Sequence, residues 1–265
     1  MSAADTILFE REGGIARLVL NRPEQGNAIS LDLARRLFEL AMRCDNDPSI
    51  RCVVLTGSGR LFCAGGDLME LSGAGDESPS AIGVLAGTLH MAVTRLLRMP
   101  KPLLVLVNGP AAGAGLSLAM CGDIVLGARS AHYTAAYGSV GISPDGGMSW
   151  MLPRLVGLRK AQDIVVTNRR VLSDEAERIG LITRVVDDEA LVAEGAAMAE
   201  TLCNSAVRAI GASRALLAES YGSGLETQLE KEVRAISLAA AGPEFKEGVS
   251  AFANRRKPDF AGNAQ

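Results

Sequence analysis

Two apolar segments of the sequence are each followed by a turn of small residues and then by a helical pattern. The first runs through IRCVVLTGSG to CAGGD, and the second runs through KPLLVLVNG to PAAGAGLSLAMCGD. Glycine permits the positive φ angles and close backbone contacts that such turns need. The first N–H groups of a helix have no partner within it, so two such turns after parallel strands could direct two N–H groups at one oxygen, as an oxyanion hole does. The sequence therefore predicts an α/β fold with a backbone anion site.

The rest of the sequence continues this alternation of strand and helix patterns. Two short strands are predicted on either side of the Gly13-Gly14 turn. Ser30 is predicted to cap the helix that follows, since its hydroxyl can accept a helix N–H. Residues 72–80 are polar and rich in glycine and serine, which predicts a flexible surface loop, and a long helix is expected from about 81 to 99.

Beyond Gly147 the pattern is almost wholly helical. The alternation before this point and the helices after it predict two units. The first is a core of strands and helices over residues 1–195, and the second is a helical region over residues 196–265. Trp150 is the only tryptophan of the chain, and we expect it to anchor its helix in the core.

Charge and composition argue against several classes of partner. The 265 residues carry a formal net charge of −3 with a pI near 5.6, which disfavours a surface for nucleic acid or anionic membranes. No apolar run is expected to reach membrane-spanning length, and the first residues lack the pattern of a secretion signal. The five cysteines form no C-x-x-C pair, and His90 and His132 lack the spacing of zinc ligands. We therefore expect a cytoplasmic protein with reduced thiols, no bound metal and no membrane or nucleic-acid partner.

Several segments together resemble one protein family. They are LNRPEQGNAIS, VLTGSGRLFCAGGDLMEL, KPLLVLVNGPAAGAGLSLAMCGDIVLGARSAHY, GISPDGGMSWMLPRLVG, LITRVVDD and FKEGVSAFANRRKPDF, in this order over residues 7–260. In these segments the chain is similar to the crotonase, or enoyl-CoA hydratase/isomerase, superfamily. The resemblance implies a spiral of ββα turns, a helical C-terminal region used for trimerisation, and often a hexamer of two trimers. It also implies an acyl-CoA thioester substrate, so that coenzyme A is part of the substrate and not a separate cofactor.

The resemblance also implies where the thioester would lie. Its carbonyl oxygen would accept hydrogen bonds from the backbone N–H groups of Gly66 and Ala114, and Ala114 stands where the family usually has glycine. The acyl pocket is expected to be lined by residues 72–80 and by the helix after them. Asp67 is predicted to cap the helix that begins LMEL and so to hold the Gly66 N–H in place. Substrate contacts are implied for Ala64, Asp67, Leu68, Met69, His90, Ser117 and Tyr137.

Coenzyme A contacts are implied for two separate segments. In RPEQGNA they fall on Glu24, Gln25 and Ala28, and Glu24 stands where family members often carry a basic residue. In the last helix, Phe252 and Arg255 would reach the adenine end of a neighbouring subunit's coenzyme A. The alternative interpretation of these two residues is an amphipathic terminal helix that packs on its own domain.

The most informative departure from the family concerns carboxylates. Its hydratases carry two glutamates that position and deprotonate water, whereas the matching residues here are Ser117 and Tyr137. Hydroxyl and phenol groups titrate too high to act as general bases near neutral pH. Asp145, in the turn GISPDGG, matches an aspartate of the dienoyl-CoA and 1,2-epoxyphenylacetyl-CoA isomerase groups. One carboxylate can move a proton between two carbons of a thioester enolate, so the sequence predicts double-bond isomerisation with Asp145 as the base.

Other interpretations stay open at this point. Asp145 could serve only as the turn residue of Pro-Asp-Gly. In an aryl-CoA dehalogenase-like hydrolysis, Asp145 would be a nucleophile and His90 would support it, although those enzymes have Trp in place of Tyr137 and Phe in place of Gly66. Hydration by a non-standard mechanism and acyl-CoA binding without catalysis are further alternatives. His90 is otherwise expected to be a partly buried packing residue, and Cys63 has no evident base that would make it a nucleophile.

Overall fold

The computed structural model describes residues 6–73 and 75–262. Residues 1–5 and 263–265 of the two predicted units, and Ala74 of the predicted loop, lie outside the described residues. The strands are β1 (Ile7–Glu12), β2 (Ile15–Leu20), β3 (Cys52–Gly57), β4 (Leu103–Val107), β5 (Ala111–Ala112), β6 (Ile124–Ala128), β7 (His132–Thr134), β8 (Val171–Leu172) and β9 (Arg184–Val186).

Among the described residues these strands form two sheets, in the orders β1-β2-β3-β4-β6-β9 and β5-β7-β8. β1 and β2 pair antiparallel across a turn in which Gly13 has a φ of 53°, which confirms the predicted hairpin. The other neighbours in the larger sheet are parallel. Every residue of β4 is buried, as expected for a parallel strand that is covered on both faces. The predicted α/β architecture is confirmed.

Helices cover the larger sheet and make up most of the C-terminal third. They are α1 (Leu31–Asn46), α2 (Leu68–Ser72), α3 (Ser78–Arg98), α4 (Ala114–Ala119), α5 (Met148–Val156), α6 (Leu158–Thr167), α7 (Ser173–Arg178), α8 (Leu191–Cys203), α9 (Val207–Ser220), α10 (Leu225–Ala240) and α11 (Pro243–Ala253). Short 3₁₀ turns occupy Pro23–Gln25, Gly75–Glu77, Tyr137–Val140 and Asp188–Ala190. Ser30 caps α1 as predicted, because its Oγ accepts the Leu33 N–H at 3.2 Å.

Helix α3 begins earlier than the sequence pattern predicts. Its first residue is Ser78 rather than a residue near 81, and the segment before it contains the end of α2 and a 3₁₀ turn rather than one flexible loop. Pro79 is compatible with this early start because the first turn of a helix does not use its N–H groups within the helix. Ser78 and Ser80, which belong to the predicted loop, therefore lie in the first turn of a helix.

One stretch among the described residues, Gly75–Arg98, is long and apolar enough to cross a membrane by length and composition, contrary to the expectation above. It contains α3, which packs along α1 and buries Leu85, Leu89 and Leu96 in the core. The core helix of a globular domain passes the same length and composition test, so these two properties are a weak indication of a membrane span.

The C-terminal third contains two short strands that its helical pattern does not predict. β8 and β9 have two and three residues, which is too short to show a strand periodicity, and they pair with β7 and β6 from earlier in the chain. Helix α8 runs across the predicted boundary between residues 195 and 196. Gly195 lies against the larger sheet, so closely that an added Cβ would be 2.5 Å from the Leu106 Cδ1. The division into two units stays a prediction.

Trp150 lies on the surface of α5, and the expectation that it anchors this helix in the core is wrong. Its exposed fraction is 44%, and the guanidinium of Arg154 lies over its ring at 4.0 Å. The buried residues of this helix are Met148, Met151 and Leu152. The amphipathic pattern of the helix therefore decided which face is buried, and the single tryptophan is on the opposite side.

Candidate active site

A cavity of about 560 Å³ opens where the turns after β3 and β4 approach α3, a size typical of small-molecule sites. Its walls are mostly aliphatic. Of the described residues that line it, Asp145 alone carries a carboxylate. Four parts of the chain supply most of the wall: Ala64, Gly65 and Gly66; Gly113 and Ala114; Ile82, Leu85, Ala86 and Leu89; and Ala136, Tyr137, Ser139, Val140, Ile142, Ser143 and Asp145.

The two glycine turns predicted from the sequence meet at this cavity. Gly65 has a φ of 106° and Gly113 a φ of 53°, conformations that residues with a side chain rarely adopt. A Cβ added to Gly65 would lie 3.0 Å from the Ala112 carbonyl oxygen and 3.6 Å from the Gly113 Cα. The turns therefore pack backbone against backbone, and glycine is what allows this approach.

Both predicted oxyanion donors, Gly66 and Ala114, line the cavity. Ile29 bonds to the residues on either side of Gly66, donating to the Gly65 oxygen at 2.7 Å and accepting from the Asp67 N–H at 3.0 Å, so the Gly66 N–H is directed away from Ile29. Ala114 is the first residue of α4, and its N–H has no carbonyl partner within the helix. Two backbone donors are thus available beside one cavity.

Asp67 stabilises the glycine turn that follows β3. Its carboxylate caps α2 by accepting the Glu70 N–H at 3.2 Å and forms an ion pair with Arg22 at 2.8 Å. Burial by itself would raise the pKa of Asp67, but the hydrogen bonds from the Glu70 N–H and from Arg22 outweigh burial and lower it. The predicted capping of α2 by Asp67 is confirmed.

Asp145 is held on three sides at the other wall of the cavity. The Tyr137 hydroxyl donates to Asp145 Oδ1 at 2.6 Å, and the Ser117 hydroxyl donates to the Asp145 carbonyl oxygen at 3.0 Å. The N–H of the next residue, Gly146, donates to His90 Nε2 at 3.0 Å. His90 Nε2 also lies 3.5 Å from Asp145 Oδ2. The side chain of Asp145 is 29% exposed, which leaves it open to the cavity.

The turn that carries Asp145 packs very closely on α4. Gly146 has a φ of 60°, and an added Cβ would lie 2.8 Å from the Ser117 Cβ. Ser117 is fully buried, so a larger side chain has no space at this position. Burial and the negative charge of Asp145 raise the pKa of Tyr137, which keeps its hydroxyl protonated as a donor.

The residues predicted to contact substrate fall into three groups. Ala64, Leu68 and Tyr137 line the cavity together with the predicted catalytic residues. Ser117 and His90 do not line the cavity but bond to the Asp145 turn; Ser117 is buried, whereas the side chain of His90 is 48% exposed. Neither Met69 nor Asp67 lines the cavity. Met69 is 81% exposed, whereas Asp67 is buried. The roles of these residues stay predictions.

The residues predicted to bind coenzyme A lie outside the cavity lining. Glu24 and Gln25 are exposed in a 3₁₀ turn, and Ala28 is buried behind it. Phe252 projects from α11 with an exposed fraction of 87%, so the alternative in which it packs on its own domain is wrong. Arg255 is exposed just beyond that helix. Contacts to coenzyme A from any of them stay a prediction.

Two parts of the wall differ from the sequence expectation. The helix after residues 72–80 lines the cavity as expected, with residues spaced three and four apart on one face of α3, but no described residue of 72–80 itself does so. Residues 139–143 form a wall that the sequence did not indicate. Their only sequence signal is apolar Val140 and Ile142 in a stretch otherwise rich in glycine and serine.

The surroundings of Cys63 do not favour a nucleophilic thiol. Cys63 is buried behind the first turn, where its Sγ donates to the Asn27 carbonyl oxygen at 3.2 Å, and burial raises the pKa of its thiol to about 12. Among residues 6–73 and 75–262, no three His, Cys, Asp or Glu side chains are grouped closely enough to hold a metal ion.

Known proteins share this sequence and fold over nearly their whole length. The profile of the enoyl-CoA hydratase/isomerase family matches residues 10–263. The chain is 36% identical over 257 residues to the 1,2-epoxyphenylacetyl-CoA isomerase of Escherichia coli strain K12, covering 97% of this chain and 98% of that one. It is 32% identical over 250 residues to 4-chlorobenzoyl coenzyme A dehalogenase-2 of an Arthrobacter species, covering 94% and 91%. The crystal structure of an enoyl-CoA hydratase from Polaromonas sp. JS666 superposes with a TM-score of 0.91 at 32% identity, covering 96% and 98%.

These relatives act in different reaction classes, as their names state, while they share one fold with this chain. The similarity extends over nearly the whole length of the chain, and two glycine turns meet at one cavity. Both findings agree with the resemblance that the sequence motifs indicate. The chain belongs to the enoyl-CoA hydratase/isomerase family and is an acyl-CoA enzyme with the crotonase fold.

Proposed function

We propose that this enzyme moves a carbon–carbon double bond of an acyl-CoA thioester, with Asp145 as its single acid/base group. The observation that carries the proposal is that Asp145 is the one carboxylate among the described residues of the cavity wall. Ser117 and Tyr137 occupy the positions that match the two glutamates of the family's hydratases, and both hydroxyls bond to Asp145 instead. Hydration would require a second group to position water, whereas isomerisation requires one base.

The proposed reaction would use groups from two walls of the cavity. The N–H groups of Gly66 and Ala114 would hold the thioester oxygen and stabilise the negative charge that develops on it. Asp145 would take a proton from one carbon of the acyl chain, and the electron pair of that C–H bond would pass into the enolate. The same carboxyl would then return the proton to a different carbon, so that the double bond moves and the atoms of the substrate are conserved.

The composition of the wall supports an apolar acyl group. Leu85, Leu89 and Ile82 of α3 face the cavity opposite the two glycine turns, and Val140 and Ile142 close another side. Burial of a hydrocarbon chain against such a surface contributes about 25 cal/mol for each Å² removed from water. The polar side chains of the wall are the hydroxyls of Tyr137, Ser139 and Ser143 and the carboxyl of Asp145.

The experiment is a panel of α,β-enoyl, β,γ-enoyl, dienoyl and ring-bearing CoA thioesters, assayed in deuterium oxide. We expect the wild type to shift a double bond and to incorporate solvent deuterium. Asp145→Asn should lower both rates by about 10²- to 10⁴-fold, whereas Asp32→Asn, on the outer surface of α1, should not change them. Full turnover by both Asp145→Asn and Asp145→Ala on every thioester would refute the proposal.

A second candidate is nucleophilic hydrolysis of an aryl-CoA halide. It is favoured by the 3.5 Å separation of His90 Nε2 and Asp145 Oδ2 and by the similarity to the Arthrobacter dehalogenase. In this reaction Asp145 would attack the ring carbon that bears the halide, halide would leave, and water would cleave the ester. Release of chloride from a chlorobenzoyl-CoA, with an Asp145 ester trapped by mass spectrometry, would favour this candidate over isomerisation.

We also infer a homotrimer or a hexamer of two trimers in the cytoplasm. Large apolar side chains are exposed on the last two helices, which supports assembly: Leu225, Leu229, Val233, Ile236, Leu238, Phe245, Val249 and Phe252. Sedimentation analysis tests this inference, and a monomer at micromolar concentration would contradict it. All five cysteines are free and buried, which supports a reducing compartment.

A further inference from the structure

The two carboxylate oxygens of Asp145 have different surroundings. Oδ1 accepts a hydrogen bond from the Tyr137 hydroxyl at 2.6 Å, a length typical of a bond to an ionised oxygen. Oδ2 lies 3.5 Å from His90 Nε2, and no described residue donates a hydrogen bond to it. One oxygen is therefore held, while the other can accept a proton from a molecule in the cavity.

The position of His90 explains why it does not hold Oδ2. Its Nε2 accepts the Gly146 N–H at 3.0 Å, and a nitrogen that accepts a hydrogen bond carries no proton to donate. Since the same nitrogen is the one nearest to Oδ2, the imidazole bonds to the backbone of the turn and leaves the carboxylate oxygen without a donor.

The position of Tyr137 is set by its own backbone. Ala136, the residue before it, has a φ of 66°, which costs free energy for a residue with a side chain. The Ala136 N–H donates to Asn168 Oδ1 at 2.6 Å, which stabilises this conformation and starts the 3₁₀ turn that carries Tyr137. The ring is then buried, and its hydroxyl lies within 3.4 Å of Ser117 Oγ and 3.3 Å of the Asp145 carbonyl oxygen.

We propose that Tyr137 is a positioning residue that holds Asp145 Oδ1 and so assigns proton transfer to Asp145 Oδ2. This inference rests on the proposed isomerase function. When a C–H bond of the substrate breaks, the proton goes to Oδ2 and the electron pair goes to the thioester enolate. The proton then passes from Oδ2 to the second carbon. Tyr137 keeps its own proton throughout, because burial and the charge of Asp145 raise the pKa of its hydroxyl.

The test is Tyr137→Phe, with Tyr133→Phe as the control, since the hydroxyl of Tyr133 is also buried but lies next to Gly127 of β6 and makes no hydrogen bond to Asp145. Deuterium exchange into butyryl-CoA and isomerisation of β,γ-hexenoyl-CoA are measured against pH. Tyr137→Phe should move the acid limb of the exchange rate to higher pH by about one unit, because it removes a donor that favours the ionised carboxylate. We expect kcat to fall about 10- to 100-fold, because the carboxylate loses its fixed orientation, with a smaller change in KM.

Two further measurements show whether the Tyr137 hydroxyl causes the shift of the acid limb. The titratable groups that face Asp145 are Tyr137 and, from α3, His90, so the profiles are repeated with His90→Gln, whose amide oxygen can still accept the Gly146 N–H. Replacing Tyr137 by a ring-fluorinated tyrosine keeps the shape of the residue and makes its hydroxyl a stronger donor. This replacement should move the acid limb to lower pH, and it answers the question even where Tyr137→Phe folds poorly.

The outcomes separate the two proposals. If Asp145→Asn abolishes exchange but neither change at Tyr137 moves the acid limb, the inference about Tyr137 is overturned and the isomerase proposal stands. If Asp145→Asn retains wild-type exchange, the isomerase proposal itself is overturned. An equal shift of the acid limb in Tyr133→Phe would mean a general effect of losing a buried hydroxyl, and would also overturn the inference.

Discussion

Replacing Ala114 by proline would remove one of the two N–H groups that border the cavity and leave α4 otherwise intact. Ala114 is the first residue of this helix, where proline is well tolerated because its missing N–H would have no helical partner. The residue before it, Gly113, has φ 53° and ψ −127°, the mirror image of the extended conformation that proline prefers in its predecessor. Glycine can adopt this mirror conformation without strain.

The expected loss comes from the number of donors. With Gly66 and Ala114 as the two donors to the thioester oxygen, Ala114→Pro leaves one. Removal of a single oxyanion donor lowers kcat about 10²- to 10³-fold, or about 3 kcal/mol of transition-state stabilisation. The free energy of unfolding should change by no more than about 1 kcal/mol, since no hydrogen bond within the helix is lost.

The assay is deuterium incorporation into a saturated acyl-CoA, which reports enolate formation whether or not the double bond moves. Ala114→Gly keeps the N–H and is the matched control, with an expected exchange rate close to that of the wild type. Binding of the thioester is measured by calorimetry for each variant. A folded Ala114→Pro enzyme that binds the thioester and exchanges within about threefold of the wild type would refute the assignment of this N–H to the oxyanion hole.

Two further predictions concern the turns around the site. Gly146→Ala should lower the free energy of unfolding by about 2–4 kcal/mol in chemical denaturation, because the backbone has a φ of 60° and an added Cβ would lie 2.8 Å from the Ser117 Cβ. The control is Gly138→Ala, where an added Cβ meets no atom within 4 Å, and it should be close to neutral. Equal losses of stability in the two variants would contradict this reason. Asp67 has a lowered pKa in the folded chain because hydrogen bonds from the Glu70 N–H and Arg22 outweigh burial, so its ionised form stabilises the fold above the unfolded pKa near 4. This contribution should be lost as pH falls through the lower folded value. The difference in Tm between wild type and Asp67→Asn should therefore shrink on acidification below about pH 4, and a constant difference would contradict the ion-pair argument.

Much of the site could be predicted from local sequence because its parts are local. The glycine turns need positive φ angles that few other residues adopt, so Gly65 and Gly113 are recognisable from their context. Ser30 and Asp67 cap the helices that directly follow them, and caps depend only on a few neighbouring residues. The assignment of Gly66 and Ala114 as the two donors came from the family resemblance of the motifs that contain these turns.

Other features depended on contacts between distant parts of the chain. His90 is 56 residues from Gly146, whose N–H it accepts, and its spacing on α3 gives no sign of this bond. β9 was not predicted because it gains its partner β6 only when the chain has folded back. Trp150 faces outward because the amphipathic pattern of α5 buries methionine and leucine instead.

The sequence by itself determined the α/β core, the two glycine turns and the presence of Asp145 in a chain that has Ser117 and Tyr137 in place of the hydratase carboxylates. Tertiary structure decided which atoms surround that carboxylate: Tyr137 on Oδ1, Ser117 on the carbonyl oxygen, and His90 on the next N–H. The physical reason is that turn conformations are set by steric limits within a few residues, whereas a hydrogen bond between side chains requires atoms from separate elements to lie within about 3 Å of each other. Only the packing of α3, α4 and the Asp145 turn around one cavity brings these atoms that close.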